Sequence, residues 1–111
     1  MNQEIFLRIT GKLLNEKFSS QEEKNLHILV LVYLTQNADN TTGEMFVSLS
    51  KLEKQVCIKK WKIRQILKSL EERGHIFKTD KKKKYKNVFY PVYKISLYEN
   101  QSKFSTFLAC L

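Results

Sequence analysis

The stretch from Leu52 to Ile76, LEKQVCIKKWKIRQILKSLEERGHI, constrains the fold more than any other part of the chain. Leu52 and Val56 stand four apart, as on one face of a short helix. Ile63, Ile66, Leu67 and Leu70 follow at the i, i+3, i+4, i+7 spacing of a single buried stripe on a second helix. Gly74, after Glu71, Glu72 and Arg73, stands where a left-handed residue closes that helix. The pattern reads as two short helices around a tight turn. Lys59, Lys60, Lys62, Arg64, Gln65 and Lys68 fall away from the stripe, so the second helix turns five cations and an amide from the core, with no acid between 59 and 68.

The spacing of Leu52, Ile58, Ile63, Leu67, Leu70, Gly74 and Ile76 resembles the helix-turn-helix of the winged-helix family. That resemblance implies an α+β, mostly α fold, with a three-helix core, a short strand and a β-hairpin wing, and each part has a readable segment. Ser20-Gln-Glu-Glu23 is a capping box, and the apolar run from Leu26 to Leu34 after it supplies the first helix. Asp39 to Gly43 is a polar turn cluster, after which Met45, Phe46 and Val47 form a strand expected to pair with the hairpin. Ser50-Lys-Leu-Glu53 is a second capping box. Ile76 to Thr79 starts the wing, Asp80 to Asn87 is its expected tip, and Val92, Tyr93, Ile95 and Leu97 return. This places a winged-helix domain at 20–98, an N-terminal extension at 1–19 packing on the core as helix or strand, and a C-terminal amphipathic helix at 99–111. Three positions depart from the family pattern. Glu53 stands where a small residue is usual, Cys57 where the turn often has Gly, and Lys59 where the helix often begins with Ser, so the turn is expected to be wider than is usual in the family.

Charge agrees with this reading. Residues 1–50 hold four Lys/Arg against six Asp/Glu, whereas 51–111 hold sixteen against five, so the net charge of +9 lies in the second half. One electropositive face suits a polyanion. Seventeen of the twenty cations are Lys, a point charge suited to phosphate, and Arg8, Arg64 and Arg73 alone could grip guanine with two bonds. Base readout is therefore sparse, or carried by Gln65, Lys side chains and DNA shape.

The candidate DNA-binding residues are Lys59, Lys60, Trp61, Lys62, Arg64, Gln65 and Lys68 on the second helix, and Lys81, Lys82, Lys83, Lys84, Tyr85 and Lys86 in the wing. The bland readings are a solvated helix face and a disordered basic loop; the absence of acids among the helix cations, and the placing of the lysine run between two strands, favour DNA. Trp61 lies off the apolar stripe, and either packs on sugars and phosphates or fills the core against the wing. Phe104, Phe107, Leu108 and Leu111 repeat at i, i+3, i+4, i+7, a stripe too short to be stable alone. It packs on its own domain beside Ile5, Ile9 and Leu13, or joins the apolar first helix as a homodimer interface presenting two recognition helices to a repeated or palindromic site.

Catalysis has little support in the sequence. It contains no GxxxxGK[ST], GxGxxG, HExxH or GxSxG, and Glu53, Glu71, Glu72 and Asp80 are not spaced as a paired metal cluster. His27 inside the first helix and His75 after Gly74 read as packed or solvent-facing residues. Cys57 and Cys110 lack disulfide or zinc spacing, so neither metal nor cofactor is expected. The start MNQEIFLRIT has no secretory pattern and the run Ile28 to Leu34 is too short to span a bilayer, which suggests a cytoplasmic protein with no membrane partner. The family resemblance implies sequence-selective binding of double-stranded DNA, in transcription regulation or in replicon maintenance of the plasmid or phage kind: replication initiation, or the adaptor role in tubulin-like plasmid partition. A protein partner from such a replication or partition machinery fits this reading. The alternative is a winged helix used for protein interaction or RNA binding.

Overall fold

Ser20 opens the first long helix, its Oγ accepting the Glu23 amide at 3.1 Å, and α1 runs Gln21–Asn37. The computed structural model describes residue 8 and residues 11–96. The return half of the capping box is replaced: the Glu23 carboxylate pairs instead with Lys62 on a later helix. Val30, Leu31 and Leu34 are buried on α1, and Thr35 satisfies its hydroxyl by donating to the Leu31 carbonyl at 2.7 Å. Asp39 then folds the chain back, its Oδ1 accepting the amides of Thr41 and Thr42 at 2.8 and 2.9 Å. Those two amides stabilise the charged carboxylate and hold its pKa below the usual value.

Strand β1, Glu44–Phe46, leads into α2, Leu49–Val56. The helix starts ahead of the expected Ser50, because Ser48 supplies the same cap, with Oγ accepting the Lys51 amide at 3.4 Å. That start brings Leu49 onto the side of Leu52 and Val56, where all three meet the core. The turn to α3, Lys60–Glu72, takes only Cys57, Ile58 and Lys59, so it is tight rather than wide. Cys57 adopts the left-handed conformation, φ 58°, that the turn needs. Ile63, Ile66, Leu67 and Leu70 are buried, as their spacing requires. Beyond Arg73 the helix closes on Gly74 at φ 82°, with the Gly74 amide on the Glu71 carbonyl at 3.0 Å and the His75 amide on the Leu70 carbonyl at 2.9 Å. This pair of bonds is the Schellman closure.

Strands β2, Ile76–Tyr85, and β3, Val88–Ile95, form the wing, and β1 adds to β3 to give an antiparallel sheet in the order β1-β3-β2. The expected eight-residue tip is corrected to two residues. Lys86 and Asn87, at φ 50° and 65°, make the turn, and Tyr85 already pairs with Val88. Two positive φ values give a turn whose twist matches that of the strands, so pairing continues to the end. The lysine run can lie in a strand because its side chains reach solvent on both faces. The ladder breaks between Lys78 and Lys82, where three residues oppose Val92, and Thr79 Oγ1 spans the gap by donating to the Val92 carbonyl at 2.8 Å.

The core joins Leu31 and Leu34 of α1, Leu52 of α2, the α3 stripe, Met45, Ile76 and Ile95. Leu13, within the helical residues 11–14, is fully buried in it. Phe104, Phe107, Leu108 and Leu111, with Ile5, Ile9 and Leu97, lie outside the described residues.

Candidate nucleic-acid interface

At 100° per residue the side of α3 opposite its buried stripe carries Trp61, Arg64, Gln65 and Lys68, and all four are exposed. Trp61 is 60% exposed, so it does not fill the core against the wing. Lys60 lies toward the wing and Lys59 sits exposed in the turn. Lys62 lies on the flank toward α1, where Glu23 holds it as an ion pair, both side chains largely covered.

Two of the departures from the family pattern compensate one another. Lys59 stands at the N-cap of α3 and makes no side-chain cap bond. Glu53 supplies it from α2, its Oε2 accepting the Lys60 amide at 3.0 Å. A carboxylate at this end also meets the positive end of the helix dipole.

A groove of about 530 Å³ separates α3 from the wing. Lys60, Arg64 and Lys68 line one wall, and Phe89, Pro91 and Tyr93 line the other. Glu71 marks its acidic end. Burial, and then the Glu71 charge, push the Tyr93 pKa up, so its phenol stays protonated.

The register sorts the wing cations. Lys82 pairs with Pro91 and Lys84 with Phe89, so these four share one ribbon face; Lys83 with Tyr90 and Tyr85 with Val88 share the other. Lys81 is bound to Glu44 at 3.0 and 3.2 Å, and Lys83 lies 4.8 Å over the Phe46 ring, which touches Tyr90 at 5.9 Å between centroids. Lys84 lies 5.8 Å over Phe89 and Lys86 5.4 Å over Tyr85. Lys60, Arg64, Lys68, Lys82, Lys84 and Lys86 have no carboxylate partner among the described residues. Phe89, Tyr85 and Val88 leave an exposed apolar surface at the end of the wing, of which the sequence pattern had marked only Tyr85.

On the flank facing away from the wing, a polar network fixes the angle of α3. His27 Nδ1 donates to the Glu23 carbonyl at 2.7 Å, leaving Nε2 to accept from Ser69 Oγ at 2.8 Å. Arg73 Nε donates to the same hydroxyl at 3.1 Å and its guanidinium stacks 3.8 Å over Phe18. Burial lowers the His27 pKa, with the charges of Arg73 and Lys62 acting the same way. His75, also buried, meets Glu16 at 2.8 and 3.0 Å. Among the described residues no cluster of His, Cys, Asp or Glu could hold a metal, and no helix is long and apolar enough to cross a membrane.

Residues 24–76, from early in α1 to the first residue of the wing, match the family of helix-turn-helix domains. This segment is a helix-turn-helix domain. The helix-turn-helix domain and the hairpin after it make a winged helix, with α3 in the position of the recognition helix. Among solved structures, the chain is similar to that of the transcriptional regulator SlyA, at 16% identity and a TM-score of 0.42, over 98% of this chain and 78% of that one. No curated protein matches the chain.

Proposed function

We propose that the chain binds duplex DNA selectively at repeated or palindromic sites, with α3 in the major groove and the wing along the backbone and into the adjacent minor groove. The observation that carries this reading is a set of six cations, Lys60, Arg64 and Lys68 on α3 and Lys82, Lys84 and Lys86 on the wing, with no carboxylate partner among the described residues. A helix about 10–12 Å across fits a major groove about 12 Å wide. There Arg64 can take guanine and Gln65 adenine, and the lysines take phosphates. The biological role is transcription regulation or replicon maintenance, in replication initiation or partition. Two copies acting together would read paired half-sites, with Phe104, Phe107, Leu108 and Leu111 at the dimer contact.

Six phosphate contacts give a slope of log affinity against log salt of about −5. A salt titration with duplex DNA measures it, and a flat slope would refute the electrostatic reading. Single-stranded RNA bound as tightly as duplex at equal salt would favour an RNA-binding module. Selection of bound genomic fragments separates the roles: tandem repeats beside a replication or partition locus indicate replicon maintenance, and isolated promoter sites indicate transcription control. Sedimentation of the full chain tests the dimer, and a monomer at high micromolar concentration would refute it.

A further inference from the structure

The tip of the wing combines two properties that a surface hairpin rarely needs together. Phe89 is 63% exposed, more than any other large apolar residue described, and Tyr85 and Val88 beside it are 54% and 49% exposed. Yet residues 81–95 contain six lysines and no acid. A partner for this surface must be both anionic and able to receive an apolar ring. Edge-to-edge contact with a second wing meets like charge, whereas a nucleic acid offers phosphates outside and stacked bases within.

Dimensions narrow the mode of contact. Beyond the break in the ladder, four residue pairs extend from Lys82–Pro91 to Tyr85–Val88, a ribbon about 13 Å long. It ends in a turn of only two residues, Lys86 and Asn87. Two strands about 4.8 Å apart, with side chains on each face, are wider than a minor groove of about 6 Å. A ribbon of this build enters that groove only by opening it. Opening is easiest where bases unstack, and an apolar side chain in the gap recovers part of the stacking lost. Phe89 is placed for this, because it shares its face with Lys82 and Lys84, and the Lys84 ammonium lies over its ring. A phosphate held by Lys84 brings the ring against the sugar edge.

We propose that the wing is a DNA-deforming wedge: Phe89, flanked by Lys82 and Lys84 on its own face, inserts between base pairs of the minor groove beside the α3 site and kinks the duplex. The inference rests on the duplex-binding reading above and gives it a second source of selectivity. Arg64 and Gln65 alone on the outward side of α3 are suited to bidentate base readout, so further selectivity would come from the deformability of the flanking step, with TA and CA/TG steps favoured.

The test uses the full chain and short duplexes with a fluorophore at each end and a central TA step. Affinity is read by anisotropy and bending by energy transfer in the same samples. Wild type should bend the duplex by at least about 20°. Phe89→Ala should abolish the bend and lower affinity by about tenfold, since stacking gained and unstacking spent largely offset each other. Phe89→Leu keeps an apolar wedge and should keep the bend. A duplex bound tightly but straight would overturn the wedge and leave duplex binding intact. A bend unchanged in Phe89→Ala would equally overturn it, and absence of duplex binding would overturn the underlying reading as well.

Discussion

Replacing Glu53 by Ala should destabilise the domain through a helix that does not contain it. The carboxylate holds the first amide of α3 at 3.0 Å and Lys59, at the N-cap, provides no substitute. Loss of a cap costs about 1 kcal/mol, and loss of the negative charge at the helix N-terminus adds about 0.3–1 kcal/mol. The higher helix propensity of Ala within α2 returns a few tenths of a kcal/mol. The net loss is about 1 kcal/mol, which lowers Tm by about 4–8 °C in a domain of this size. Glu53→Gln keeps an acceptor oxygen and should lose about half as much. The decisive variant is Lys59→Ser, which puts a hydroxyl at the N-cap. In a double-mutant cycle it should recover most of the Glu53→Ala loss while adding little to the wild type, whose α3 is already capped. Thermal melts followed at 222 nm give all four corners. Strict additivity, or a Glu53→Ala variant as stable as wild type, would show that the bond across the turn contributes nothing.

Gly74→Ala should cost about 1–2 kcal/mol in urea denaturation, because φ is 82° and a Cβ there meets nothing within 4 Å, leaving backbone strain as the sole cause; Cys57→Gly, relieving the same strain in the turn, should stabilise by up to about 1 kcal/mol. The lowered pKa of His27 means that the unfolded chain binds more protons than the folded one just below the ordinary value of 6.5. Stability should therefore fall as pH drops through that value, with a shallower fall in His27→Gln, as read from urea midpoints across a pH series. Arg64→Ala or Gln65→Ala should cost about 1–3 kcal/mol on the preferred duplex and little on random DNA, whereas Lys82→Ala with Lys84→Ala should weaken both and reduce the salt slope by about 2. Lys62→Ala should instead lower stability and leave the slope unchanged, since Glu23 already holds that ammonium.

The fold was legible where one residue type serves one local rule. Ser20 caps, the Ile63 to Leu70 spacing buries a stripe, and Gly74 closes a helix, each within a few residues of sequence. What escaped was set by partners distant in sequence. Glu53 looked like the second half of a box with Ser50, but Ser48 could start α2 as well, and the carboxylate was free to cap α3. Lys62 looked like one more outward cation until α1 brought Glu23 beside it. The wing tip was drawn too wide because four successive lysines suggest a loop; the mirror-image turn at Lys86-Asn87 carries no Gly to announce it. The same lysines were read as one set, and only the folded hairpin divides them into Lys81 and Lys83, held by Glu44 and Phe46, and Lys82 and Lys84, on the face of Phe89.

Strand β2 lies at the sheet's edge, so one side of its ten-residue backbone has no strand neighbour. An edge of that length is a template onto which another chain can add as a strand. Six of its ten residues are charged, Lys78, Asp80 and Lys81 to Lys84, and the ladder break falls in its middle. These are features that discourage such addition. The lysine run therefore acts as a guard against aggregation in the free protein, whatever else it contacts. Neutralising it wholesale should leave the winged helix folded but prone to assemble through its wings. Surplus charge at this edge is thus tied to solubility, and sequence drift there toward uncharged strand formers would be opposed even where it left ligand binding intact.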